Sequence, residues 1–189
     1  MIKSVILENL VDSLANASQG HQKTNVDGYL IEQIECGCQN SMKRLYHKYY
    51  KSLTSLINSC LTHNQDKAKV LHNSFLDIWS GHKVWDRRQT VKVFLISIVK
   101  KKINAINQVL KKTLSPDEAM KFDDSNLALK GSDLQGQISY LSPAQRGLLF
   151  LLHKENLSYE QIATIENCSV DKIKKQFLDV LRRLKVQVT

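Results

Sequence analysis

The chain is poor in residues that break helices. Two prolines and seven glycines are spread over 189 residues. Tight hairpins have little to build on, and no run of apolar alternation bounded by turn residues argues for a strand. Cysteine is scarce. Cys36, Cys38, Cys60 and Cys168 follow no disulfide-framework spacing. Cys36 and Cys38 form a C-x-C pair, but no second Cys or His pair stands at a zinc-site distance from it. Ordinary reduced thiols are the simpler reading. No apolar stretch is long enough to span a bilayer. The opening, MIKSVILENLVDSL, is interrupted by Glu8, Asn9 and Asp12 and has no signal-peptide pattern. A cytoplasmic protein is expected. The six histidines are dispersed, and neither an H-E-x-x-H motif nor a Gly-rich phosphate loop occurs. Neither an enzyme nor a bound metal or cofactor is therefore expected.

What the chain does hold is Leu, Ile, Lys and Gln in helical patterns, so an all-α protein is predicted. Its net charge is +9 and unevenly spread. Residues 1–25 are neutral, 26–114 carry +9, 115–139 carry −3 and 140–189 carry +3. Two basic blocks joined by an acidic connector suggest two modules facing a polyanion, set against a plain reading of solvated lysines. The predicted organisation is a mobile arm over 1–25, a helical domain over 26–112, an acidic flexible linker over 113–139 and a second small helical domain over 140–189. Within the linker, Ser115-Pro-Asp-Glu118 has a capping signature for one short helix.

The C-terminal block is the most legible. Ser142-Pro143-Ala144-Gln145 offers an N-cap, a proline at the first helical position and a Gln to close a capping box. Ser158-Tyr159-Glu160-Gln161 is a second box, opening a short helix. Glu166-Asn167-Cys168 makes a tight turn, with Asn167 where a left-handed residue is needed. Ser169 caps a third helix running to about Val186. On it Val170, Ile173, Phe177, Val180, Leu181 and Leu184 share one face, opposite Lys172, Lys175, Asp179, Arg182 and Arg183. Short helix, turn and basic-faced helix match a helix-turn-helix, whose free N–H groups favour phosphate and whose first side chains reach base edges. The bland alternative is a three-helix bundle with a solvated face.

Leu141-Ser-Pro-Ala-Gln-Arg146, Asn156-Leu-Ser-Tyr-Glu-Gln-Ile-Ala163 and Ser169-Val-Asp-Lys-Ile-Lys-Lys-Gln-Phe177 resemble the C-terminal domain of extracytoplasmic-function (ECF) sigma factors. The resemblance implies that this domain reads the upstream, minus-thirty-five promoter element. Its reading residues would be Lys174, Lys175, Gln176, Leu178 and Asp179, with Lys172 near the backbone; Ser169, the helix cap, is counted among the same DNA-binding residues. Asn167 stands where the family usually has Gly, and Asp179 where a basic residue is common.

Ile34-Glu-Cys-Gly37, Ser41-Met-Lys-Arg-Leu45-Tyr46 and Tyr49-Tyr50 resemble the start of the same family's promoter-melting domain. By periodicity alone, Met42, Leu45, Tyr46, Tyr49, Leu53, Leu56, Ile57 and Cys60 are one apolar stripe, read as core. Asp66-Lys-Ala-Lys-Val-Leu-His-Asn-Ser-Phe-Leu-Asp-Ile-Trp79 is similar to the helix that docks on polymerase core. Lys69, His72 and Asn73 occupy its docking positions, where the family carries acid and Gln. Gly81-His-Lys-Val-Trp-Asp-Arg-Arg-Gln89 is a basic loop with one aromatic, and Val93-Phe-Leu-Ile-Ser-Ile-Val-Lys100 a buried helix ending in three lysines. A basic groove with an aromatic can hold single-stranded DNA. The resemblance implies capture of a base flipped from the minus-ten element, with Lys83, Trp85, Arg87, Arg88, Lys92, Lys100 and Lys101 as candidates. Trp85 reads equally well as a core-edge aromatic.

An ECF-like sigma factor is therefore expected. Its partners would be promoter DNA, RNA polymerase core and, as a further candidate, an anti-sigma factor, with no membrane. Two alternatives stand beside it. One is a diverged DNA-binding regulator that does not bind core polymerase; the other is a helical interaction protein that sequesters a partner.

Overall fold

In the computed structural model, which describes residues 25–61, 64–113 and 141–186, the chain is seven helices with no strand among the described residues. They are α1 (Val26–Glu35), α2 (Gln39–Cys60), α3 (Asn64–Trp79), α4 (Val91–Thr113), α5 (Pro143–His153), α6 (Tyr159–Glu166) and α7 (Val170–Val186). The expected arm and acidic linker lie outside the described residues, apart from Asn25 and Thr113, and so does the Ser115–Glu118 cap.

Local chemistry sets most helix ends. Asn25 caps α1, its side chain accepting from the Gly28 N–H at 3.0 Å. Gly37, at φ +81°, turns the chain into α2, and Gly81, at φ +72°, follows α3. Both expected capping boxes form. Ser142 and Gln145 satisfy each other's backbone N–H at the start of α5, and Ser158 and Gln161 do so at α6. Asn167 ends α6 in the left-handed region at φ 51°, ψ 53°. Ser169 then accepts from the Lys172 N–H to open α7. Asn167→Ala is expected to lower stability by about 1 kcal/mol, because alanine pays the left-handed penalty that Asn largely escapes. Asn167→Gly should leave it unchanged or raise it. Urea denaturation of the two variants checks this.

The first four helices pack as one group, with α2 against α1, α3 and α4. The last three form a second group around Ile162, Ile173 and Leu151. The groups are not apart. α5 lies on α2 and α6 lies on α4, and one buried apolar cluster runs from Leu30 through Leu53, Ile96 and Val99 to Leu151, Ile162 and Ile173. Gly147 of α5 is what lets the helices approach. A Cβ there would stand 2.7 Å from the Cys60 Sγ.

Near α1, Tyr49 is buried and its hydroxyl donates to Asp27 Oδ2 at 2.6 Å, while Lys48 Nζ reaches the other carboxylate oxygen. Burial, and then the Asp27 carboxylate, push the phenol well above its usual range. In the unfolded chain Tyr49 loses its proton near pH 10, while the folded chain keeps it. This contribution is thus intact below about pH 10 and is lost as pH rises beyond that value. The melting temperature should fall across that alkaline range, and Tyr49→Phe should flatten the fall.

Candidate nucleic-acid interface

Three surfaces carry the expected site residues. The first is the outer face of α7. Ile173 and Val180 are fully buried and Val170, Phe177, Leu181 and Leu184 half-buried, which anchors one side of the helix. Phe177 meets the rings of Tyr159 and His153. Ser169, Lys172, Lys174, Lys175, Gln176 and Leu178 are all exposed, Leu178 at 53%. Asp179 is half-buried and holds Arg182 at 3.1 Å, so its negative charge is partly answered from within the helix. A rigidly supported helix with free lysines near its N-terminus has the chemistry to meet phosphates and base edges. Glu160, at the start of α6, is held below the usual carboxylate range by backbone N–H and Ser158 hydrogen bonds; Lys174 adds to the effect.

The second surface is the loop 80–90 with α4. Lys83, Arg88 and Lys101 are exposed, and Arg87 is exposed while pairing with Glu32 of α1 at 2.8 Å. The other three expected residues are not on a free surface. Trp85 is 8% exposed, with its ring against Gly28 and its Nε1–H donating to the Gln89 carbonyl at 2.9 Å. Lys92 is half-buried and bonded to Glu155, through the carboxylate at 2.7 Å and the carbonyl at 2.8 Å. Lys100 is 4% exposed and pairs with Glu166 Oε1 at 2.8 Å. The reason is helical geometry. At 100° per residue, Lys100, Lys101 and Lys102 point in three directions. Lys100 turns toward α6, Lys101 to solvent, and Lys102 to Asp77 of α3 at 2.8 Å.

The third surface is α3. Lys69, His72 and Asn73 are all exposed. Beside them α2 and α3 frame an open groove of about 590 Å³. Its walls are Met42, Tyr46, Tyr50, Leu71, Phe75 and Trp79, with Tyr46 edge-on to Phe75. Tyr50, Leu76 and Trp79 are exposed at 45%, 49% and 38%, more apolar surface than a solvated face needs. Thr54 also lines the groove, and its hydroxyl is a buried polar atom without a hydrogen-bond partner.

In sequence, no protein-family model and no curated protein matches the chain. In structure, it aligns with CnrH, solved in complex with the cytosolic domain of CnrY. The TM-score is 0.58 at 16% identity, covering 86% of this chain and 96% of that one. It aligns equally with the sigma factor RpoE from Bartonella quintana, solved in complex with the anti-sigma factor NepR. There the TM-score is 0.58 at 19% identity, covering 77% and 95%. The chain has the ECF sigma-like fold. That fold is all-α. Among the described residues, no helix is long and apolar enough to cross a membrane, and no three metal-ligating side chains gather.

The sigma-like fold also brings together residues that periodicity did not single out. Glu155, 8% exposed before α6, accepts from Ser52 of α2 at 2.6 Å as well as from Lys92. Glu166 at the end of α6 takes Lys100 and lies 3.5 Å from the Asn104 amide. Arg146 donates to the carbonyls of Ser59 at 3.0 Å and Leu141 at 2.8 Å. Burial holds its guanidinium below its ordinary pKa. Nothing local marks these groups, since, apart from Leu141 beside Arg146, each partner lies far away in the chain. The groove residues Met42 and Tyr46 were visible as a stripe, but a stripe does not say which part stays uncovered.

Proposed function

We propose that the chain is an ECF-type RNA polymerase sigma factor, directing promoter recognition in a bacterial cytoplasm. Residues 140–189 act as its helix-turn-helix domain and 26–112 as its promoter-melting domain, with the acidic segment 113–139 as connector. In this reading α7 lies in the major groove of the upstream element. Lys172 and Ser169 meet the backbone, and Lys174, Lys175, Gln176, Leu178 and Asp179 face the bases. The loop 80–90 and α4 hold the melted strand, its phosphates on Lys83, Arg87, Arg88, Lys92, Lys100 and Lys101. The α3 face with Lys69, His72 and Asn73, and the aromatic groove beside it, take the polymerase core or an anti-sigma factor.

The observation that carries the proposal is the α7 face. Its apolar side is locked into the core while every candidate reading residue except Asp179 is exposed, on a chain whose fold is sigma-like over most of its length. Transcription in vitro with core polymerase on genomic DNA tests it. Discrete chain-dependent start sites are expected, and the absence of any complex with core at low salt would sink the sigma reading.

One observation favours the runner-up, a DNA-binding regulator that leaves polymerase alone. The exposed positions 69, 72 and 73 present a lysine, a histidine and an asparagine rather than acid, and charge at a docking pair is costly to reverse. Duplex binding without core binding would select it.

A further inference from the structure

The groove between α2 and α3 is an apolar trough with basic edges. Met42, Tyr46 and Tyr50 follow one another every four residues along α2, and Leu71, Phe75 and Trp79 do so along α3. On α2 each wall residue is followed by a basic one, Lys43, His47 and Lys51, all exposed and turned about 100° further from the core. Lys69 and His72 edge the α3 side. The α2 segment holds no acidic residue. Such a trough fits a helix with an apolar stripe and acid behind it. The chain carries such a stripe outside the described residues. Ile6, Leu7, Leu10, Val11 and Leu14 recur at the spacing of one helix face, and Glu8, Asn9 and Asp12 fall opposite. No lysine or arginine stands between Ser4 and Gly20. As a helix, Ile6–Leu14 would be about 12 Å long. The α2 wall from Met42 to Tyr50 is also nine residues and has the same length. The described chain begins close by. Asp27 of α1 holds Lys48 and Tyr49, and the next residue, Tyr50, lines the groove. The ten residues between Leu14 and Asn25 can span up to about 35 Å.

We propose that residues 5–15 dock as a helix in this groove, apolar stripe inward, and that any other partner of the groove must first displace them. The docking stands on the groove and the stripe alone. Its consequence for polymerase rests on the sigma-factor reading of the previous section. A helix this short gains little stability by itself in water, so packing on an apolar wall is what would form it. The wall has that surface to offer, since Tyr50, Leu76 and Trp79 are 45%, 49% and 38% exposed. Glu8 and Asp12 bring a charge of −2 over rims that carry Lys43, Lys51 and Lys69. A tether of ten residues holds the segment at an effective concentration on the order of millimolar. Weak docking therefore keeps the groove covered most of the time. A second copy, far more dilute, competes poorly, whereas a partner that binds tightly takes the groove.

The experiment compares the full chain with Leu10→Glu, Leu14→Glu on the stripe and with Leu76→Glu on the exposed α3 wall. Circular dichroism and thermal melting check that each variant folds. Hydrogen exchange read by mass spectrometry follows the amides of residues 5–15. They should exchange about tenfold more slowly in the original chain than in either variant. Equally fast exchange in all three chains would overturn the docking. Protection lost with Leu10→Glu, Leu14→Glu but kept with Leu76→Glu would put the segment elsewhere and overturn it too. Protection that disappears on dilution would mean that a second copy fills the groove, which also overturns it. If Leu76→Glu does not fold, Lys43→Glu with Lys51→Glu on the opposite rim takes its place. Titration with core polymerase then reads the displacement. Leu10→Glu, Leu14→Glu should bind core about fivefold more tightly than the original chain, because the groove no longer has to be cleared. Equal affinity would overturn the displacement. Absence of core binding in both chains would instead bring down the sigma-factor reading, while the exchange result decides the docking.

Discussion

Trp85→Ala should cost the fold about 3–5 kcal/mol, the range for removing a buried tryptophan. The ring sits at 8% exposure in the space a side chain at position 28 would need. A Cβ on Gly28 would lie 2.7 Å from the Trp85 Cη2. The indole thus joins α1 to the loop 80–90, and its N–H on the Gln89 carbonyl ties the end of that loop just before α4. Two contributions are separable. Trp85→Phe keeps most of the apolar area and loses the hydrogen bond, leaving the part-buried Gln89 carbonyl short of its donor, at about 1 kcal/mol. Chemical denaturation of the pair should therefore show alanine well below phenylalanine, and both below the original chain. A loss under about 1 kcal/mol for alanine would mean that the indole contributes little to the core.

The second large effect is on binding. Lys172→Glu with Lys175→Glu should weaken duplex DNA binding by at least about 2 kcal/mol, roughly thirtyfold, and lower the salt dependence by about one phosphate contact, that of Lys172. Both side chains are exposed and neither is held in an ion pair, so stability should change by less than about 0.5 kcal/mol. Binding to single-stranded DNA should be nearly unaffected, because both residues lie on α7, away from the α4 face. Titrations at several salt concentrations, on duplex and on single strand, make the check. An unchanged duplex affinity would mean that DNA does not approach this face of α7.

The features visible in sequence are those made by neighbours in sequence. The two capping boxes, the left-handed Asn167 and the buried stripe of α7 each depend on residues within a few positions of one another. Turn chemistry and helical period therefore located them. The residues that join the two groups depend on partners far away. Ser52 and Glu155 are 103 positions apart, and Arg146 and Ser59 are 87. No period relates them, and a lone glutamate before a short helix looks like any solvated acid. The run Lys100–Lys102 shows the same limit. It reads as one basic cluster on a line of text, yet the helix sends its members to three environments. By sequence Trp85 fits a base-stacking role as well as a core-edge one, and its place against Gly28 accounts for its burial. The aromatic groove on α2 and α3 was hidden within a stripe that looked uniformly like core.

Arg146 binds only backbone oxygens, the carbonyls of Ser59 and Leu141. Every amino acid carries such an oxygen. Substitution at position 59 therefore leaves the acceptor in place, whereas the donor can be supplied by one residue alone. The contact is robust to drift on one side and fragile on the other. Unlike the ion pairs across the seam between the two helix groups, it needs no side chain of opposite charge, so it ties the two groups together through the fold of the backbone itself.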